Sequence, residues 1–169
     1  MRELADRLEA GAAAIADLGG AIEAGEPWPL TEVYGPGPES AWGPRELLAH
    51  LGEMLPFWLG EIELVLDETG RAGEGADPPS FGRTEEDPLR VEVIGRDRMF
   101  PARELVDRVD VGGARVARRL RALTEAQAAT IGRHVTRGDL AVRDMAERFL
   151  VTHLEGHVTQ LREILAVAR

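Results

Sequence analysis

Four stretches of this chain repeat apolar residues at intervals of three and four, and glycine or proline punctuates the joints between them. That period puts side chains on one face of a helix, so the chain has to fold by packing helix on helix. In the first stretch Leu4, Leu8, Ile15, Leu18 and Ile22 form the stripe. Gly11, Gly19 and Gly20 are its weak points, and Gly25 with Pro27 is its stop. Residues 28–40 carry Pro29, Pro36 and Pro38 and read as loop. The second stretch opens at Gly43 and Pro44, where glycine can cap and a first-turn proline loses no bond. Its stripe is Leu47, His50, Leu51, Met54, Trp58, Ile62 and Val65, Pro56 predicts a kink, and Gly70 ends it.

The third stretch begins near Pro101 and shows Leu105, Val109, Gly112, Val116, Leu120 and Leu123 on one face. Thr124 and Gln127 have capping-box spacing, so a new short turn follows. After a loop over 132–138, the fourth stretch runs from about Val142 to the C-terminus. Val142, Met145, Ala146, Phe149, His153, His157, Leu161, Ile164 and Ala168 mark its stripe. Residues 89–94 are the one candidate extended piece, and no convincing pair of alternating strands appears. The expectation is an all-α protein, a four-helix bundle forming one domain over residues 1–169. Leu51, Val109, Phe149 and Leu161 should meet in its core. The connection over 70–99, with five glycines and three prolines, is long enough either to cover a site or to act as a mere linker.

Composition removes several functions. Asp plus Glu is 30 against 20 basic residues, a net charge of −10, which argues against binding nucleic acid or an anionic membrane surface. Every basic residue is arginine, so lysine Schiff-base chemistry is excluded. Without cysteine there is no disulfide, no thiolate-held zinc and no thiol nucleophile of the chain's own. No apolar run approaches the ~20 residues of a membrane span and the first residues do not read as a signal peptide, so a cytoplasmic location is expected.

The histidines carry the chemistry. His153 and His157 are one helical turn apart, on the stripe where a bundle would ordinarily place leucine. His50 sits on the buried stripe of the second helix. Neutral imidazoles are common metal ligands, and three of them on facing helices would leave a coordination position open. The competing reading is that each histidine only hydrogen-bonds a neighbour in the core. Glu53, one turn after His50, is a candidate to orient a ligand or act as a base near bound water, against the plainer reading of a solvated glutamate, and Gln160 is placed to hydrogen-bond His157. Met54, Phe57, Trp58 and Phe149 are candidate pocket walls. His134 reads as a surface histidine, Glu155 as solvent-facing, and Glu85, Glu86 and Asp87 as a solvated loop.

Trp42 and His50 in AWGPRELLAHL, the long connection, a Gly-Asp-Leu entry to the last helix, and THLEGHVTQL together resemble the DinB/YfiT-like metalloprotein superfamily. His153, His157 and Gln160 make its sharpest motif. The resemblance implies a four-helix bundle with a divalent metal, zinc or nickel, held by His50, His153 and His157. It also implies a thiol-dependent S-transferase or isomerase acting on a small molecule with mycothiol, bacillithiol or glutathione, and a homodimer. Because the chain lacks cysteine, the thiol would be a cosubstrate. A hydrolase using metal-activated water, and a bundle that binds metal or a small ligand without turnover, are the alternatives.

Overall fold

The computed structural model describes residues 1–73 and 75–168. Its long helices are α1 (Arg2–Ala24), α3 (Pro44–Ala72), α5 (Ala102–Ala122) and a terminal rod. The rod joins α7 (Val142–Met145), a π-helical segment (Ala146–Thr152) and α8 (His153–Val167). Short helices α2 (Pro38–Ala41), α4 (Pro88–Asp97) and α6 (Glu125–Ala128) lie between them. α1 packs on α5 and on the rod, and α3 packs on the other side of the same two, closing a four-helix ring. Leu51, Val109, Phe149 and Leu161 are all buried in its single core, as the stripes predict. Among the described residues no helix is long and apolar enough to cross a membrane.

Gly11 of α1 and Gly113 of α5 are contact points, whereas an added Cβ on Gly20 would have nothing within 4 Å. A Cβ on Gly11 would lie 2.9 Å from Leu154, and one on Gly113 would lie 2.8 Å from the Ala12 Cβ. The helices approach that closely because there is no side chain between them. Gly113→Val should therefore overpack the α1–α5 seam and cost about 1–3 kcal/mol. Gly60→Ala, where nothing lies within 4 Å of the added Cβ, should gain about 0.5–1 kcal/mol from helix propensity. Urea unfolding of the two variants checks the contrast; equal midpoints would refute the close-approach account.

Four expectations need correction. Residues 88–97 are helical, not extended: the Asp87 side chain accepts from the Arg90 N–H at 2.9 Å, Pro88 takes the first helical position, and Arg90, Ile94 and Asp97 face inward at helical spacing. The capping role also means that Asp87 does more than solvate a loop. α3 ends not at Gly70 but at Ala72, where Gly73 adopts φ 80°, and Pro56 lies inside it. A small sheet also exists, with β1 (Ser80–Phe81) parallel to β2 (Ile131–His134) and β2 antiparallel to β3 (Gly138–Ala141). In β2 the inward positions are Gly132 and His134 while Ile131 points out, so its alternation is not a hydrophobic one. The last helix contains a π-helical segment immediately before His153, and Leu150, Leu154 and Leu165 join its buried face while Ala168 is exposed.

The loop before α3 is fixed by polar contacts to buried groups. Trp42, 2% exposed, donates from Nε1 to the Glu32 carbonyl at 3.0 Å. The wholly buried Glu46 accepts from the Thr31 N–H at 2.8 Å and from Arg98 at 3.1 Å. These bonds fix residues 31 and 32 against the start of α3.

Candidate metal centre

His50 comes from the second turn of α3, and His153 and His157 from the first two turns of α8. The π-helical segment ends at Thr152, and such segments re-aim the side chains that follow them. His153 Nε2 lies 2.8 Å from His50 Nε2 and 3.0 Å from His157 Nε2. His157 Nδ1 faces the Gln160 side-chain oxygen at 3.1 Å, so Nδ1 donates and Nε2 presents a lone pair. His50 and His153 cannot both carry a proton on Nε2, because donor would then face donor at 2.8 Å. At least two lone pairs therefore converge in buried space, a setting that suits a cation.

The electrostatics point the same way. Burial holds His50 well below the ordinary imidazole range, and the two neighbouring imidazoles and Arg90 push in the same direction. His153 is lowered to about 3 by burial and by His157. His157 is also lowered by burial, with the Gln160 contact opposing. All three rings are thus neutral, the form in which imidazole binds a metal. Together with a Glu39 carboxylate oxygen, their ligand atoms all lie within 4.8 Å of one another. A tetrahedral ion with bonds near 2.0–2.1 Å sets its ligand atoms about 3.4 Å apart, close to the 2.8 and 3.0 Å separations of His153 Nε2 from His50 and His157.

A cavity of about 450 Å³ opens beside the cluster, and His50, His153 and Glu39 line it. Trp58 and Phe149 form an aromatic wall, their rings stacked at 4.2 Å and 9°. The other two candidate walls fall elsewhere: Met54 is fully buried in the core, and Phe57 lies under the Arg83 guanidinium, 3.6 Å from its ring centroid.

Glu53 lies outside the histidine cluster, with one carboxylate oxygen on Arg83 and the other without a hydrogen-bond partner among the described residues. It is bound to Arg83 Nη2 at 2.5 Å with its side chain 8% exposed. Burial raises its pKa while Arg83 opposes that shift, and Glu53 does not belong to the converging cluster.

His134 corrects the sequence reading outright. It is 4% exposed, stacks on Phe149 at 5.2 Å, meets Phe81 edge-on at 5.2 Å, and lines the same cavity. Gly82, at φ 88°, makes room for it, since a Cβ there would stand 2.6 Å from the imidazole. Glu155, expected in solvent, pairs with Arg7 at 2.8 Å and ties α8 to α1.

A family model described as the DinB superfamily matches residues 21–161. The chain belongs to the DinB superfamily. No curated protein and no solved structure matches it significantly. In this DinB-superfamily chain the matched region contains all three histidines that the sequence singles out, and the fold brings them together. Their cluster with Glu39 could hold a metal ion. Glu39 has no counterpart among the sequence expectations: it sits in a proline- and glycine-rich loop that carries no periodic signal.

Proposed function

We propose that this protein is a divalent-metal-dependent enzyme in which a low-molecular-weight thiol attacks a small electrophilic substrate, as an S-transferase or an isomerase. The observation that carries the reading is the convergence of three neutral histidine nitrogens beside a solvent-connected cavity. Zinc or nickel held by His50, His153 and His157 would supply the positive charge that keeps a thiol ionised near neutral pH. The rest of the chemistry falls to the chain. Neutral ligands leave that charge undiminished, Gln160 fixes the ring of His157, and Trp58 with Phe149 offers an apolar wall to the substrate. A volume of about 450 Å³ suits a small molecule rather than a polymer. With no cysteine in the chain, the thiol has to be delivered as a cosubstrate.

Cobalt substitution tests this directly. Mycothiol, bacillithiol and glutathione are titrated in turn into the cobalt form, with a simple alcohol as control. A saturable near-ultraviolet charge-transfer band with one thiol is the expected result. If no thiol perturbs the cobalt spectrum, yet activated esters are hydrolysed in a metal-dependent way, water activation replaces thiol transfer. If neither occurs, the bundle binds metal without turnover.

A further inference from the structure

Among the described residues, Glu39 is the one carboxylate that converges with the three histidines. Its Oε1 lies 3.8 Å from His50 Nε2 and 2.5 Å from Arg90 Nη2. The Arg90 side chain is 5% exposed, a buried guanidinium that also donates to the Glu85 carbonyl at 3.1 Å. The Glu39 backbone is held as firmly: its carbonyl accepts from Gln160 Nε2 at 2.6 Å, while the oxygen of that same amide faces His157. One glutamine therefore fixes both an imidazole of the cluster and the residue that carries the carboxylate. Glu39 keeps 30% of its side chain exposed and lines the cavity, whereas His50 and His157 are buried.

We propose that Glu39 is a displaceable fourth ligand, completing the His50, His153 and His157 site at rest and yielding its place to an anion that enters from the cavity. The inference rests on the reading of the cluster as a metal centre. Its physical basis is charge. Three neutral imidazoles and one carboxylate around a divalent ion leave a net charge of about +1. When Glu39 gives way to another monoanion that charge is unchanged, and the released carboxylate stays on Arg90 rather than becoming an unpaired buried charge, which would be costly. One carboxylate–metal bond is lost as one anion–metal bond forms, and no proton or electron moves. A neutral ligand entering the same position would leave the site with an extra positive charge, so the exchange selects anions.

The test uses the full chain loaded with cobalt(II), azide as the probe anion, and the Glu39→Gln and Glu39→Ala variants. Both variants should bind cobalt about tenfold or more weakly, by analogy with the loss of groups that support a metal site. Their visible spectra should differ from the unaltered protein before azide is added. Azide should then bind about tenfold more tightly, because its competitor is gone. Variants with the unaltered circular dichroism, cobalt spectrum, cobalt affinity and azide affinity would overturn the proposal. In that case a cobalt site that still needs all three histidines leaves the metal-centre reading standing, whereas failure of the unaltered protein to bind cobalt ends both.

Discussion

Purified without a polyhistidine tag, the protein should carry about one equivalent of divalent metal, and His50→Ala should lose it. His50 is the one histidine of the trio supplied by α3, so its removal leaves the two imidazoles of a single helix with none facing them from α3. Loss of a residue that only supports a ligand weakens metal binding about 10–100-fold, so loss of a ligand itself should exceed that range. His153→Ala and His157→Ala should behave alike. His134→Ala is the control: His134 lines the same cavity but stacks on Phe149, outside the converging set, so metal content should hold. Elemental analysis of the four variants decides the matter. Full metal content in His50→Ala would sink the three-histidine site.

The helices were legible because their apolar stripes have a period that nothing else produces. The histidine trio was legible for the same reason: imidazoles at His50, His153 and His157 interrupt stripes that otherwise read as core. What escaped has identifiable causes. α4 announces itself through Asp87 and Pro88, a helix start, but Val91, Val93 and Ile94 are β-branched, and that strand-like composition hid it. β2 buries a glycine and a histidine, so no hydrophobic alternation marks it, and His134 was misread along with it. The π-helical segment has no sequence signature of its own. Glu39 is placed by Arg90 and Gln160, 51 and 121 residues away in sequence, and such tertiary contacts leave no local trace. Glu53 shows how spacing alone leaves a partner unread: it stands one turn from His50, and Arg83, 30 residues on, pairs with one of its oxygens.

Chelating the metal should lower the melting temperature by roughly 8–16 °C, and this separates a metal centre from a core of hydrogen-bonded histidines. A ligand present at 1,000 times its dissociation constant stabilises the folded state by about 4 kcal/mol, and for a chain of this size each kcal/mol moves the midpoint by about 2–4 °C. A hydrogen-bonded core would be indifferent to the chelator. The same physics predicts an inversion in a second variant. In the metal-free protein His50 is a liability: it is 3% exposed and its Nδ1 has no hydrogen-bond partner among the described residues, although its Nε2 and the His153 Nε2 can share one proton across 2.8 Å. Replacing His50 with an apolar group of similar volume removes the unsatisfied Nδ1 from the interior, and His153 Nε2 keeps His157 Nε2 at 3.0 Å, so no new buried polar atom is orphaned. His50→Leu should therefore melt below the metal-loaded protein but at or above the chelated one, and it should ignore the chelator. If His50→Leu melts well below the chelated protein, the imidazole is supporting the core by its own hydrogen bonds. The convergence of the three rings would then be structural, with no ion needed to explain it.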